Sequence, residues 1–185
     1  MPALNPLDEP SDEALLAQSL IGDPEAFGGL VARYERRVHG LLWRLGVQPD
    51  AMDDLFQQVW LRAFHGRASF KGKSRFGTWL YAIALNETRA WRRRRQTQPL
   101  DSIDEPPAPG PSALDRLLGK ARQEGLAKAM ATLPAADQES LALRYQQGLD
   151  YETIGRLTGR SMAQTRLRNF RALARLRALM KDHQL

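Results

Sequence analysis

Five prolines within 17 residues interrupt the chain between its two halves. They lie at positions 99, 106, 107, 109 and 111 of the stretch QTQPLDSIDEPPAPGPS, residues 96–112. Proline fixes φ and lacks a backbone N–H group, so this stretch cannot form a helix or a central strand. It favours extended, polyproline-like backbone, and we expect a semi-rigid spacer between two compact halves.

The charge distribution follows the same division. Residues 1–32 hold six acidic and no basic side chains, residues 33–95 hold 14 basic and five acidic, residues 96–112 hold three acidic, and residues 113–185 hold 13 basic and seven acidic. The net charge of +6 therefore hides two basic blocks separated by an acidic stretch. Such blocks indicate a polyanionic partner.

Composition excludes several classes of protein. The chain has no cysteine, which excludes disulfides, thiolate nucleophiles and cysteine zinc sites, and its three histidines are scattered. No apolar run approaches the roughly 20 residues that span a bilayer, and the acidic N-terminus is unlike a signal peptide. We expect a soluble, cytoplasmic protein.

Apolar residues recur at three- and four-residue intervals in both halves, which predicts an all-α fold. In the first half we expect helices that start at Ser11, Asp23, Asp50 and near Arg75. The fourth helix ends in Arg92 to Arg95, a run too charged to be core.

In the second half the sequence predicts a helix-turn-helix. A helix from Leu126 ends at Pro134, and another runs from about Ala135 to Gly148. Asp150 then caps a short helix, Gly159 breaks the chain, and Ser161 caps a longer helix that reaches about Met180.

The last helix is the most specific feature. Residues 160–181 contain seven basic side chains and no acidic one. In a major groove its early residues would face base edges, and the later arginines would lie on phosphates. These early residues are Met162, Ala163, Gln164, Arg166, Leu167 and Phe170. A solvated basic surface on an ordinary helical bundle is the alternative.

Aromatic and basic side chains alternate from Phe70 to Arg95. This combination suits single-stranded nucleic acid, because bases stack on rings while phosphates pair with arginine and lysine. Phe70 and Asn86 are the better candidates for contact, whereas the helical spacing of Trp79 also fits a core position. Asn86 alternatively caps the end of a helix.

The third helix carries a polar face, Asp53, Asp54, Gln57 and Gln58. No second carboxylate or histidine cluster is placed to make it a metal or acid–base site. The face is either a solvated surface or a docking site for a basic partner.

These features occur in the order seen in bacterial extracytoplasmic-function sigma factors, which the chain resembles from about Asp12 to Met180. GDPEAFGGLVARY (22–34), DDLFQQVWLRAF (53–64) and FKGKSRFGTWLYAIALNETRAWRRR (70–94) are similar to motifs of that family's domain two. LPAADQESLALRYQQGLDYETIGRLTGRSMAQTRLRNFRALARLR (133–177) is similar to its domain four. The resemblance implies two small helical domains, 1–96 and 114–185, joined by an acidic proline-rich linker, 97–113.

The resemblance also implies a function and a set of contact residues. The chain would bind core RNA polymerase, direct it to promoter DNA and assist melting, under the control of an anti-sigma factor, with no cofactor and no small-molecule substrate. The implied polymerase-binding residues are Asp53, Asp54, Gln57 and Gln58. The implied minus-ten contacts are Phe70, Lys71, Trp79, Asn86 and Arg89, and the implied minus-thirty-five contacts are Arg166, Leu167, Phe170 and Arg171.

Four residues depart from the family pattern. Gln58 stands where the family usually has an acid, and this bears on the strength of the polymerase contact. Thr165 and Asn169 stand where an aliphatic residue is usually buried, and Leu167 where a small polar residue is usual. These three bear on the promoter sequence that is read and on the packing of the last helix.

Two other classes of protein compete with this interpretation. A free-standing helix-turn-helix regulator would bind DNA without polymerase, but it has no use for the polar face of the third helix. An enzyme would need a nucleophile–base pair, a phosphate-cradling glycine loop or a metal-ligand cluster, and the sequence contains none of these motifs.

Overall fold

The computed structural model describes residues 10–96, here called the N-terminal bundle, and residues 125–182, here called the C-terminal half. Every regular element in these ranges is helical, which confirms the predicted all-α fold. The N-terminal bundle contains α1 (Asp12–Leu20), α2 (Pro24–Arg44), α3 (Pro49–Gly66), a 3-10 turn (Arg67–Ser69) and α4 (Phe76–Gln96). The C-terminal half contains α5 (125–131), α6 (Ala135–Leu141), a π-helical segment (Ala142–Gln146), α7 (Tyr151–Thr158) and α8 (Met162–Asp182). The proline-rich spacer lies outside the described residues.

Side-chain caps define where several helices begin. Ser11 Oγ accepts a hydrogen bond from the Ala14 N–H at 3.1 Å, and Asp23 Oδ1 accepts one from the Glu25 N–H at 2.9 Å. Both predicted caps are confirmed. The predicted start of α3 at Asp50 is wrong by one residue, because Pro49 occupies the first position, where its fixed φ suits a helix.

The four helices of the N-terminal bundle enclose one apolar core. Among its fully buried side chains are Leu30 and Val38 of α2, Val59 of α3, and Phe76 and Leu80 of α4. These positions follow the three- and four-residue spacing seen in the sequence. No helix within residues 10–96 or 125–182 combines the length and apolarity needed to cross a membrane.

Asp12 fastens α1 to α2. Arg33 Nη1 lies 2.6 Å from Asp12 Oδ1, and the Tyr34 hydroxyl donates to Asp12 Oδ2 at 2.5 Å. Burial, together with this hydrogen bond, raises the pKa of the Tyr34 hydroxyl. The acid therefore holds α1 against the bundle, although α1 buries few side chains of its own.

The predicted helix-turn-helix is confirmed and is tightly built. Gly159 ends α7 in the left-handed region, with φ of +69°. A Cβ at Gly155 would lie 2.5 Å from the carbonyl oxygen of Arg160, so α7 and the turn approach too closely for a larger residue. Ser161 and Gln164 form a reciprocal capping box at the start of α8, with distances of 3.1 and 3.2 Å.

The helix predicted from Ala135 to Gly148 is not regular. It widens after Leu141 into the π-helical segment, and the Gln147 N–H donates to the carbonyl of Ala142. Leu141 packs in a small core of the C-terminal half, whereas Leu143 packs in the core of the N-terminal bundle. The wider turn thus places neighbouring leucines in two different cores.

The two halves are in direct contact. Ala142, Leu143 and Ile154 of the C-terminal half are buried in the same apolar cluster as the N-terminal bundle. The amide of Gln147 donates to the carbonyl of Arg37 at 3.3 Å. Apolar periodicity within each half does not predict this contact, since it reports only which face of a helix is buried.

Candidate nucleic-acid and protein interfaces

The polar face of α3 is exposed as a unit. Asp53, Asp54, Gln57 and Gln58 all lie at the surface, one helical turn apart, opposite the buried Leu55 and Val59. No residue of the described ranges forms an ion pair with either aspartate. The helix therefore presents two exposed carboxylates without ion-pair partners among the described residues, which fits both predicted roles, a solvated face and a docking site for a basic partner.

Phe70 does not stand free in its loop. Its ring lies 5.5 Å from the ring of Trp79 and 6.0 Å from that of Phe76, and it is partly buried. Lys71, which follows it, is exposed. The three rings form one aromatic cluster at the end of the bundle, so Phe70 has a packing role whatever else it contacts.

Trp79 and Asn86 line the same shallow cavity, of about 290 Å³, between α3 and α4. Arg62, Gly66, Ser69, Ile83 and Glu87 complete its wall. Trp79 is only partly buried, so it is not the fully buried core residue that its helical spacing also allowed. The alternative role of Asn86 as a helix cap is wrong, because α4 continues ten residues beyond it to Gln96.

Arg62 is a residue of this cavity that the sequence did not single out. Its Nε lies 3.2 Å from Glu87 Oε1, and this ion pair joins α3 to α4. The pair brings a guanidinium to a cavity that also has an aromatic wall. The sequence places Arg62 on the polar face of α3, but only the packing of α3 on α4 brings it to Trp79.

Arg89 forms an ion pair with an acid of the C-terminal half. Its Nη2 and Nε lie 2.6 and 3.0 Å from the two carboxylate oxygens of Glu139 on α6. The hydrogen bonds to Glu139 raise the pKa of Arg89. A residue predicted to contact the minus-ten element is therefore bound to the other half of the same chain.

Arg92 extends this contact. It donates to Gln138 Oε1 at 2.5 Å and to the carbonyl of Leu45, and burial lowers its pKa. The charged run at the end of α4 was expected to lie outside the core. For Arg92 that expectation is wrong, since its side chain is only 19% exposed.

The residues of α8 that were predicted to read DNA are exposed together. Arg166 and Arg171 are at the surface, and the two apolar members, Leu167 and Phe170, are 48% and 73% exposed. Because Leu167 and Phe170 are three residues apart, they are neighbours on the surface of α8 and form one apolar patch among the arginines.

A buried acid organises the arginines beside this face. Asp137 of α6 lies 2.7 Å from Arg168 Nη1 and 2.5 Å from Arg175 Nη1, and its side chain is only 2% exposed. Together with Arg160, Gln164, Leu167 and Arg171, these residues line a cavity of about 320 Å³. Sequence reasoning missed Asp137, because an acid in the first turn of a helix is common and gives no signal of a distant partner.

Two departures from the family pattern are buried in the structure. Thr165 and Asn169 are each 1% exposed; Thr165 lies against Gly155 of α7, and Asn169 lies against Ser140 of α6. Asn169 Nδ2 donates to the backbone and side-chain oxygens of Ser140 at 2.9 and 2.8 Å. Asn169 Oδ1 accepts no hydrogen bond from the described residues, so this polar substitution is only partly satisfied.

Comparisons with known proteins agree with the architecture. The models of Sigma-70 region 2 and Sigma-70, region 4 match residues 30–98 and 129–178. The ECF RNA polymerase sigma-E factor of Escherichia coli is 30% identical over 173 residues, covering 88% of this chain and 90% of the relative. That of Haemophilus influenzae is 28% identical over 180 residues, covering 88% and 91%.

Solved structures give the same result. CnrH in complex with the cytosolic domain of CnrY aligns with a TM-score of 0.69 and 27% identity over 92% of this chain and 97% of that one. RpoE in complex with the anti-sigma factor NepR, from Bartonella quintana, has a TM-score of 0.69 and 23% identity, covering 84% and 96%, and supports the fold. The chain belongs to the extracytoplasmic-function RNA polymerase sigma factors.

Proposed function

We propose that this chain binds core RNA polymerase, directs it to specific promoters, and assists promoter melting. The observation that carries the proposal is the separation of three surfaces on one chain. The acidic face lies on α3, the aromatic cavity lies between α3 and α4, and the arginine-rich face lies on α8. A regulator that binds DNA alone needs only the last of these.

In this proposal the acidic face of α3 docks on polymerase. Asp53 and Asp54 supply charge and Gln57 and Gln58 supply hydrogen bonds. The exposed carboxylates favour a basic patch on the enzyme, because complementary charge speeds and orients association. Reversing both charges, with Asp53→Lys and Asp54→Lys, should abolish polymerase binding and leave the helical content of the chain unchanged.

The aromatic end of the bundle takes part in minus-ten recognition. Trp79, Asn86 and Arg62 surround a cavity open to solvent, in which a displaced base would meet a ring, an amide and a guanidinium. Lys71 and Arg89 would lie along the phosphate backbone. Phe70 supports the Trp79 ring, so its contribution to DNA binding passes partly through packing.

This assignment has a direct test. Asn86 is exposed, so Asn86→Ala should leave stability unchanged while it weakens open-complex formation on duplex promoter more than on a pre-melted promoter. Phe70→Ala should impair both templates, because it also loosens the aromatic cluster. Equal effects of Asn86→Ala on the two templates would contradict a role in base capture.

The exposed face of α8 reads the minus-thirty-five element. In this proposal Arg166, Leu167 and Phe170 contact base edges, and Arg171 contacts phosphate. Arg171→Ala should therefore lower affinity for all sequences alike and reduce the salt slope by about 0.9, whereas Phe170→Ala should relax sequence preference. A change of sequence preference for Arg171→Ala alone would reverse these roles.

An anti-sigma factor would control this activity by covering the polymerase-binding surfaces. CnrH, which is 27% identical to this chain, is found in complex with the cytosolic domain of CnrY, and RpoE, which shares the fold, is found with the anti-sigma factor NepR. These complexes support a protein partner of the same kind here. A pull-down from the native cell should return core polymerase and an inhibitory protein.

In vitro transcription with purified core polymerase over a promoter library tests the whole proposal. We expect RNA synthesis from a subset of promoters that share two sequence elements. The competing function, a DNA-binding regulator that does not recruit polymerase, predicts DNA binding without any transcript and without association with core enzyme.

A further inference from the structure

We propose that Asn169 is a positioning residue, which fixes the rotation of α8 about its own axis against α6 and thereby sets the minus-thirty-five sequence that the chain prefers. The proposal rests on the function proposed above, because that function makes α8 the reader of this element. The Asn169 side chain is only 1% exposed, so it does not reach DNA itself. It acts through Arg166 and Phe170, which are exposed and lie within one helical turn of it.

The buried face of α8 is polar where the opposite face is predicted to read DNA, in residues 162–171. In this segment the buried side chains are Thr165 and Asn169. The apolar packing of α8 in the small core of the C-terminal half comes later along the helix. It involves Ala172, Leu173, Leu176 and Leu179. The position of residues 162–171 against α6 therefore depends on polar groups.

A short side chain carries this polar contact. Asn169 Nδ2 donates at 2.9 Å to the carbonyl oxygen of Ser140 and at 2.8 Å to its hydroxyl oxygen. Ser140 is 2% exposed, so both partners are shielded from water. Apolar contact is non-directional, whereas a hydrogen bond weakens steeply when its angle is poor. The two bonds therefore restrict the rotation of α8 in a way that apolar packing does not.

The ion pairs between α8 and Asp137 are more tolerant of rotation. Arg168 Nη1 lies 2.7 Å from Asp137 Oδ1, and Arg175 Nη1 lies 2.5 Å from Oδ2. An arginine side chain has many rotamers and follows its partner when the helix turns, whereas asparagine has only two side-chain torsions and a short reach. The rotational setting of α8 is therefore determined by Asn169.

This contact is not explained by stability alone. Asn169 Oδ1 is buried and accepts no hydrogen bond from the described residues. A buried acceptor without a donor lowers stability, and apolar partners of the same shape avoid this loss. In coiled coils a single buried asparagine likewise costs stability while it fixes the register of the helices. Asn169 has the corresponding place between α6 and α8.

A small rotation of α8 is sufficient to change base reading. Side-chain tips lie about 6 Å from the axis of a helix, so a rotation of about 15° moves them by roughly 1.5 Å. A hydrogen bond to a base edge does not survive such a shift, because donor and acceptor must stay within about 3.2 Å. One good contact favours the correct base on the order of tenfold, which sets the size of the expected effect.

The test uses Asn169→Leu, which removes the donor and keeps the branching of the side chain. Its matched control is Thr165→Val. Thr165 is equally buried one turn earlier, but its hydroxyl donates to the carbonyl of Ser161 at 2.9 Å, and this bond stays within α8. Ser140→Ala is the conservative variant, because the backbone carbonyl of residue 140 remains as an acceptor.

The first measurement is selection of duplex DNA from a random library by the full chain at low salt, followed by sequencing. We expect Asn169→Leu to lose on the order of tenfold in preference for the sequence that the parent selects. Thr165→Val and Ser140→Ala should keep the parent's preference. An unchanged preference in Asn169→Leu, or an equal loss in Thr165→Val, would overturn the proposal.

The second measurement is affinity for a duplex of unrelated sequence. Asn169→Leu should match the parent here, because phosphate contacts do not depend on alignment with base edges. A uniform loss of affinity for every sequence would mean that Asn169 has only a structural role, and the positioning role would then be wrong.

Thermal unfolding separates a change of position from loss of the fold. Asn169→Leu should melt within about 5 °C of the parent, because the lost hydrogen bonds are offset by removal of the unpaired acceptor and by added apolar burial. Asn169→Ala removes the same donor without adding volume and serves if leucine does not fit. A folded Asn169→Ala chain with the parent's preference would contradict the proposal.

The two proposals fail in different ways. If the chain never associates with core polymerase, yet its duplex preference changes in Asn169→Leu and not in Thr165→Val, the proposed function is wrong and the positioning role stands. If the chain directs transcription, but Asn169→Leu and the parent use the same promoters of a library, the function stands and the positioning role is wrong. A parent that selects no sequence in either assay would overturn both.

Discussion

Two acids of the same short helix show how different the contacts within the C-terminal half are from those between the halves. Asp137 and Glu139 are 2% and 6% exposed, and each lies within 4.0 Å of two arginines. Asp137 joins α6 to α8 inside one folding unit, whereas Glu139 joins α6 to α4 across the chain. Similar chemistry therefore joins helices within one half in the first case and between the two halves in the second.

The difference lies in what happens when the contact breaks. Losing the Asp137 contacts removes two ion pairs that join α6 to α8, whose arginines, Arg168 and Arg175, are 33% and 57% exposed. The Glu139 contact lies between the two halves, and Arg89 is 32% exposed, so water can solvate this guanidinium when the contact is lost. The energetic consequence of the same substitution should therefore differ between the two positions.

The largest expected effect is that of Asp137→Ala on the stability of the C-terminal half. We expect a loss of about 3 kcal/mol in the free energy of unfolding, because two charge-assisted hydrogen bonds to a buried acid are removed. Glu139→Ala should cost less, about 1.5 kcal/mol, since its one close partner, Arg89, is 32% exposed and can be solvated. Urea denaturation followed by circular dichroism measures both, and equal losses would contradict the distinction.

Gly155→Ala should have the next largest effect. Its Cβ would lie 2.5 Å from the carbonyl of Arg160, which is backbone and cannot swing aside. We expect about 2 kcal/mol of destabilisation and a loss of binding by α8 to duplex DNA. The check is thermal unfolding together with duplex binding. An unchanged melting temperature would mean that the turn after α7 shifts freely.

Asp150→Ala should cost about 1 kcal/mol through loss of the α7 cap. The Thr153 N–H, which donates to Asp150 at 2.7 Å, lowers the pKa of that carboxyl. Because the pKa of this carboxyl is lower in the folded chain than in the unfolded chain, its charge stabilises the fold at pH values above the unfolded pKa. This stabilisation is lost as the pH falls through the folded pKa. The stability difference between parent and variant should be flat near neutral pH and shrink below about pH 4. A difference that persists in acid would mean that the cap acts without its charge.

Gly40→Ala should have the smallest effect, although a Cβ there would lie 2.4 Å from Gln146 Nε2. This neighbour is the end of a flexible side chain of the other half, so it can move. We expect a change in unfolding free energy within about 0.5 kcal/mol, because alanine also favours the helix. A loss above 1 kcal/mol would show that the interface between the halves is as rigid as the turn at Gly155.

Much of the candidate site could be predicted from local pattern. The polar face of α3 and the exposed face of α8 follow from helical spacing, because the buried stripe determines which residues face solvent. Caps at Ser11, Asp23 and Asp150 follow from the residue types that accept hydrogen bonds from a free helix end. The resemblance to the family motifs then assigned a role to each candidate contact residue.

Other parts could not be predicted, because they depend on partners far along the chain. Glu139 lies 50 residues from Arg89, and Asp137 lies 38 residues from Arg175. A lone acid on a short helix has the same sequence pattern whether it faces solvent or a buried arginine. The sequence pattern also did not predict the π-helical segment after Leu141, because this segment forms where the chain passes from one core to the other.

The sequence by itself determined most of the helices, the turn before α8 and the residues that each exposed face presents. These are set by spacing, capping and backbone freedom, which act over a few residues. Only the tertiary structure decided that Arg89 is bound, that Asp137 orders the arginines near α8, and that Arg62 reaches the Trp79 cavity. Burial of a charge depends on which helices pack together, and that packing is a property of the whole chain.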